Sequence, residues 1–197
     1  MVVRMSSMGS SRPHLTSPPL DGRVCVLTGG RGFLGQKFTS ALLCAGAKVA
    51  ILDVTPITDD PMTDLLQISA DITDETSLKS AQGEILEQWG QINVLINNAA
   101  LNPKMDGTDT ALDRLENFPL ERWNSEVCVG LTGSFLCGKV FGSWMAENGG
   151  GVIVNIASDL SVIAPDQRIY FKSNISPNQQ PVKPISYSAV KTGLIGL

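Results

Sequence analysis

Residues 28–35 read Thr28-Gly29-Gly30-Arg31-Gly32-Phe33-Leu34-Gly35, after the apolar run 23–27 and ahead of a stretch with helical periodicity. Glycine is needed where a chain turns tightly and where a pyrophosphate must approach backbone N–H groups, and the N-terminus of the following helix adds partial positive charge. A glycine-rich turn alone is weak evidence. Here the strand before it and the helix after it supply the context that a dinucleotide site demands. The cradle residues are then Thr28, Gly29, Arg31, Gly32, Phe33, Leu34 and Gly35. Asp53 closes the second apolar run, 18 residues beyond Gly35. A carboxylate there accepts hydrogen bonds from both hydroxyls of an adenosine ribose and repels a 2′-phosphate, which favours NAD over NADP. Arg31 argues the other way, because a guanidinium pairs with that phosphate. Asp53 also admits a plainer reading, as a turn residue ahead of Thr55-Pro56.

Around this turn, short β-branched runs alternate with longer helical ones. That rhythm predicts a parallel sheet with crossover helices, an α/β doubly wound sandwich of the Rossmann type. Strands are expected at 23–27, 48–53, 66–70, 94–97 and 152–157, all short and continuously apolar, as parallel strands buried on both faces are. Helices are expected at 35–45, 75–89 and 120–145, the second capped by Asp74 and the third ended by Gly149, Gly150 and Gly151. Residues 102–117 read as a polar loop with room for one helical turn. Residues 165–184, with four prolines among Asn and Gln, read as an irregular excursion. The chain divides into a Ser/Pro-rich tail at 1–20 and one domain at 21–197, with the Pro-rich insertion at about 160–184.

Composition narrows the chemistry. The 197 residues are 43% hydrophobic and 17% charged, with a mean hydropathy of +0.09, so wholesale disorder is excluded. A net charge of −4 argues against a phosphate-neutralising surface and hence against a nucleic-acid partner. The single histidine, His14, lies in the tail, which removes His-based triads and His-rich metal sites from consideration; no metal site is expected. Cys25, Cys44, Cys128 and Cys137 are widely spaced among apolar neighbours and read as buried, reduced thiols. No uninterrupted apolar run approaches the roughly 20 residues that span a bilayer, so no membrane partner is expected and a cytoplasmic location is. The tail carries Arg4 and Arg12 and no acidic residue; it reads as a disordered arm or as an organelle transit peptide.

Acid–base chemistry must therefore come from elsewhere. Tyr187-Ser188-Ala189-Val190-Lys191 sets a phenol and an ammonium four residues apart, on one face if helical, in a chain with only two tyrosines. A free phenol ionises near ~10, and a general base working near ~7–8 needs about 3–4 kcal/mol of preferential phenolate stabilisation. The Lys191 cation and a positively charged nicotinamide act in that direction. Tyr187 is then the group that exchanges a proton with a hydroxyl or carbonyl oxygen. Ser158, at the carboxyl end of the fifth run, faces the crevice where such sheets bind ligands and would orient the same oxygen; it also reads as a turn cap, with Asp159 competing for its hydrogen bond.

Residues 28–35, Asp71-Ile72, Asn97-Asn98-Ala99-Ala100, Ser158 and Tyr187-x-x-x-Lys191 together resemble the short-chain dehydrogenase/reductase family. Glu121-Arg122-Trp123 and residues 131–136 resemble that family's long central helix, and the resemblance runs from Gly22 to Leu197. It implies that Asp71 and Ile72 flank the adenine, that Asn97 with its neighbours Asn98 and Ala99 lines the cofactor cleft, and that Tyr187 and Lys191 also contact the nicotinamide side. It implies an NAD-dependent exchange of alcohol and ketone on a small molecule, and a homo-oligomer in full-length relatives. Three departures stand out. The spacing Gly29-x-x-Gly32-x-x-Gly35 is that of the family's extended branch, while Asn97-Asn98-Ala99-Ala100 is that of its compact branch. Ser158 and Tyr187 lie 29 residues apart, where the compact branch has about a dozen, and Gly130 stands where that branch carries an Asn that anchors a water in the proton relay. Gly130, the insertion and Gln179-Gln180-Pro181-Val182-Lys183-Pro184 resemble a bacterial subgroup named for flagellin modification, which points to a sugar or sugar nucleotide as substrate. Relatives also continue into two more strands, so the chain reads as a truncated reading frame or a fragment, with a sheet edge left uncovered. Two rival readings follow: an extended-branch epimerase or dehydratase that recycles its hydride, and a non-catalytic NAD-binding fragment.

Overall fold

The five apolar runs form five parallel strands: β1 (Val24–Thr28), β2 (Lys48–Asp53), β3 (Leu65–Ser69), β4 (Val94–Asn97) and β5 (Val152–Asn155). The computed structural model describes residues 18–55, 62–101 and 110–197. The expectations for 1–17, His14 included, and for 102–109 lie outside the described residues. The strand order is β3-β2-β1-β4-β5. β1 pairs with β2 from Val24↔Lys48 to Thr28↔Leu52 and with β4 from Cys25↔Val94 to Leu27↔Ile96, so the order reverses between β1 and β4. A crevice opens at the carboxyl ends of strands at such a reversal.

Helices α1 (Phe33–Cys44), α2 (Glu75–Trp89), α3 (Leu120–Glu147) and α4 (Ile185–Gly196) complete the fold. The Phe38, Leu42 and Leu43 side chains of α1 cover one face of the sheet, against Cys25, Leu27, Val49 and Ile51. On the other face Leu78, Ala81 and Ile85 of α2 and Cys137, Phe141 and Met145 of α3 pack over Val24, Val26, Ala50, Leu52 and Leu95. This is the three-layer sandwich that the alternating pattern predicts. By length and composition alone α3 could cross a bilayer, but Cys137, Phe141 and Met145 bury one stripe of it in the core of the sandwich. Its winding loosens to the π form at Cys128–Thr132 and Gly138–Gly142. β5 is one edge of the sheet, and its Val152, Ile153 and Val154 are exposed.

Several expected boundaries shift. β3 starts one residue early, and β5 stops at Asn155, where the Ala157 N–H turns back to the Asn155 carbonyl at 3.0 Å. The excursion at 165–184 holds only two short turns of 3-10 helix, Gln167–Tyr170 and Pro177–Gln179, and a third, Asp159–Ser161, precedes it. All four thiols are free, but only Cys25 and Cys137 are buried, and burial pushes them up to about 11 and about 12. Cys44 is exposed, correcting the expectation of four buried thiols: it ends α1 away from the stripe that carries Phe38 and Leu42.

Asp74 caps α2 as its position promised, accepting from the Thr76 N–H at 2.9 Å. In the next position Glu75 ties α2 to α3 by accepting from Lys139 at 2.7 Å, and it also pairs with Lys79 of its own helix at 2.8 Å. The Lys139 hydrogen bond first, and then that of Lys79, hold its carboxyl down at about 2 from the ordinary 4.5. A folded-state value below the unfolded one stabilises the fold above 4.5, and that contribution disappears as the pH falls through about 2. A carboxyl-carbon NMR titration is expected to give Glu75 a midpoint near 2. In urea unfolding, Glu75→Gln should be less stable than the parent at neutral pH and converge with it in acid; a pH-independent difference would contradict the tie.

Candidate active site

A cleft of about 660 Å³ runs along the carboxyl ends of the strands, within the span of ordinary small-molecule sites. Its floor is the turn between β1 and α1. Gly29 there has φ +65°, a left-handed conformation that suits glycine, and a Cβ on Gly35 would lie 2.1 Å from the Gly29 carbonyl oxygen, so the helix starts against bare backbone. Gly29, Gly32, Phe33, Leu34 and Gly35 all line the cleft. Asp53 lines it from the end of β2, Asp71 and Ile72 from the end of β3, and Asn98 and Ala99 from the end of β4. A cradle that excludes side chains, beside a helix N-terminus and a carboxylate on the next strand, fits a dinucleotide.

Tyr187 and Lys191 line the same cleft from α4. Their shared helical face puts the Lys191 Nζ 5.9 Å from the centroid of the Tyr187 ring. Lys191 is buried and donates to the Ile156 carbonyl just beyond β5. Burial first, and the charge of Lys183 second, push its ammonium below the usual lysine range. The four-residue spacing thus brings together the phenol, an ammonium and the end of β5, as the sequence anticipates.

Four expected contacts fall out differently. Thr28 is buried behind the cleft rather than on its wall, because its hydroxyl oxygen accepts the N–H groups of Asn98 and Ala99, both at 3.0 Å. Arg31 also does not line the cleft; its N–H donates to Asp53 Oδ2 at 3.0 Å and its guanidinium donates to Gln67. The two residues read as rivals over a 2′-phosphate are therefore bonded to each other. Asn97 is buried, linking β4 to Asn155 of β5 at 2.8 Å, and it is Asn98 that reaches the cleft. Ser158 takes its cap reading here: its hydroxyl donates to Asp159 Oδ1 at 2.8 Å and accepts from the Leu160 N–H at 3.2 Å. Asp53 takes both of its readings at once, since Oδ1 accepts from the N–H and hydroxyl of Thr55 while the residue still lines the cleft.

Two features escape sequence reasoning. Buried Glu126 of α3 accepts from Arg122 at 2.9 Å and from the Ser186 hydroxyl, while Arg122 also pairs with Asp113 at 2.8 Å. This chain of charges fixes the start of α4, next to Tyr187; the i,i+4 spacing of Arg122 and Glu126 was its only trace in the sequence. Lys183 is the second, its Nζ 3.7 Å from the Tyr187 ring centroid. Burial pushes its ammonium down, against the upward pull of Glu126 and Asp113.

A sequence model of the family described as short chain dehydrogenase matches residues 23–174. D-threitol dehydrogenase of Mycolicibacterium smegmatis is 27% identical over 186 residues, which cover 90% of this chain and 62% of that protein. NAD-dependent glycerol dehydrogenase of Listeria innocua is 30% identical over 154 residues, covering 76% and 58%. The crystal structure of levodione reductase superposes with a TM-score of 0.70 at 24% identity, covering 90% of this chain and 64% of that one. The chain thus spans about three fifths of the length of the curated relatives it matches.

The Gly130 position explains itself in packing terms. A Cβ there would lie 2.5 Å from Cγ1 of Val190, one residue before Lys191, so the space an asparagine would need is filled by a valine methyl. Gly130→Asn is expected to cost about 1–3 kcal/mol in denaturant unfolding. Adding Val190→Ser should recover most of that loss; a single variant as stable as the parent would contradict the packing.

Proposed function

The chain belongs to the short-chain dehydrogenase family, and on that premise we propose that it is an oxidoreductase interconverting an alcohol and a ketone with NAD, on a small polyol or sugar-like substrate. The observation that carries this reading is that Tyr187 and Lys191 line the same cleft as the glycine turn and Asp53. The backbone N–H groups of residues 32–35 would hold the pyrophosphate, and Asp53 the adenosine ribose. Asp71 and Ile72 would flank the adenine, and Asn98 and Ala99 would line the cofactor's path toward Tyr187. Bound nicotinamide supplies hydride acceptance and donation.

The chain's own residues supply the proton chemistry. Tyr187 exchanges a proton with the substrate oxygen, while Lys191 presents positive charge to the phenol and would help hold the nicotinamide ribose. Ser158 orients the same oxygen after its hydroxyl turns away from Asp159; that bond is solvent-exposed, so exchanging it for a substrate oxygen costs little. Asp53 favours NAD because its carboxylate repels a 2′-phosphate, and the Arg31 guanidinium already donates to Gln67. The names of the D-threitol and glycerol dehydrogenases support the polyol class.

The test is NADH formation over a panel of polyols and sugars. Tyr187→Phe is expected to lower kcat by at least about 100-fold while calorimetric NAD affinity stays within about twofold of the parent. Full turnover by that variant would refute the assignment. Asp53→Asn should weaken NAD more than NADP and narrow the preference between them by about tenfold, a shift of about 1.4 kcal/mol; an unchanged ratio would remove Asp53 from the ribose site.

A further inference from the structure

Pro184 stands between Lys183 and α4 as the residue that caps the helix. Lys183 is therefore not part of the helical face that carries Tyr187 and Lys191, although all three are spaced by four. Its side chain nevertheless returns over the phenol, with Nζ 3.7 Å from the ring centroid, closer than the 5.9 Å of Lys191. A cation within about 6 Å of an aromatic centroid is attracted by the ring's negative face. Two ammonium groups, one from the helix and one from the Pro-rich excursion, thus address a single tyrosine.

The excursion is built to deliver that group. The Gln167 side chain accepts from the Lys183 N–H at 2.8 Å and donates to the Lys183 carbonyl at 3.1 Å, clamping the backbone from both sides. Gln180 does the same for Lys172, at 2.9 and 2.8 Å. A segment without regular structure is in this way pinned by side-chain amides. Glu126 and Asp113 attract the half-buried Lys183 ammonium, while Glu126 also accepts from Arg122 and Ser186 and Asp113 pairs with Arg122.

Resting on the reading of Tyr187 as the proton-exchanging group, we propose that Lys183 is a positioning residue for it: its ammonium holds the ring in its cleft-facing orientation and adds a second positive charge beside the phenol. The other ionisable groups on the elements packed against α4 are Lys191 on α4 itself, Glu121, Arg122, Glu126 and Cys128 at the start of α3, with Lys139 and Glu147 farther along it, and Asp159 in the turn after β5; Asp113 pairs with Arg122. Asp159 is occupied by Ser158 and the Leu160 N–H. Loss of the Lys183 charge leaves Lys191 as the sole cation against the ring among the described residues and removes the repulsion that Lys191 feels from it.

The experiment compares Lys183→Met, Lys183→Gln and Lys183→Arg in the full chain by two readouts. The first is the pH profile of kcat/KM with NAD and the best polyol. The second, which needs no turnover, is the ultraviolet tyrosinate band in a Tyr170→Phe background, which leaves Tyr187 as the one tyrosine. Removing the charge is expected to move the acid limb of the profile and the emergence of the band to higher pH by about one unit, with about a tenfold loss of turnover on the acid side. Lys183→Arg should stay near the parent in both. The proposal falls if the band and profile of Lys183→Met and Lys183→Gln overlay the parent, or if Lys183→Arg shifts as far as they do. Full turnover by Tyr187→Phe would instead sink the functional reading, and the band shift would still decide whether Lys183 acts on the ring.

Discussion

The buried hydroxyl of Thr28 accepts two backbone N–H groups at once, those of Asn98 and Ala99, and so joins the end of β1 to the segment after β4 at the place where the strand order reverses. Asn98 returns the favour, donating to the carbonyls of Thr28 at 2.9 Å and Gly29 at 3.2 Å. These bonds satisfy polar backbone that a bare glycine turn would leave without partners, and each contributes about 0.5–1.5 kcal/mol net. On the other side of the turn, Asp53 takes the Arg31 N–H. The cradle is thereby held from β2 and from β4, and its preorganisation means that a ligand need not order it. Without the Thr28 and Asp53 anchors, the glycines that make the floor of the cleft passable would also make it floppy.

The electrostatics of the opposite wall follow a different logic. Lys191 and Lys183 are cations placed where water is scarce, and desolvation leads the causes that lower both. Such burial is tolerated when partners are supplied. For Lys191 the partner is a single carbonyl, that of Ile156, whereas Lys183 lies in the field of Glu126 and Asp113. The same carboxylates, through Arg122 and Ser186, anchor the first turn of α4 to α3. The wall that carries Tyr187 and Lys191 is thus braced by a charge network, while the opposite wall is formed by the strand ends and the glycine turn.

Much of this was written in local pattern. Period and glycine placement specified β1, the turn and α1, because a buried parallel strand, a tight turn and an amphipathic helix each leave a signature within a dozen residues. Tyr187 and Lys191 were readable for the same reason, since helical spacing fixes their common face. Ser158 shows the limit: its residue type and place at a strand end are readable, but the choice between facing the crevice and capping a turn is made by Asp159 and the Leu160 N–H in three dimensions. Thr28 and Arg31 look like cradle residues by position, yet their polar groups are claimed by Asn98, Ala99, Asp53 and Gln67, the nearest of them 22 residues away along the chain.

From the chain of letters alone follow the alternating α/β order, the glycine turn between β1 and α1 and the Tyr187–Lys191 face, because these depend on periodicities of two and 3.6 residues and on the conformational range of glycine. Only the folded molecule settles which polar groups face the cleft and which are consumed in holding it together. It also brings Lys183 over the Tyr187 ring and Glu126 under Ser186. Glu126 and Ser186 lie 60 residues apart, a separation with no periodic signal, whereas Lys183 is four residues from Tyr187 but outside the helix that begins after Pro184, so its approach to the ring depends on how the preceding segment is folded rather than on helical period.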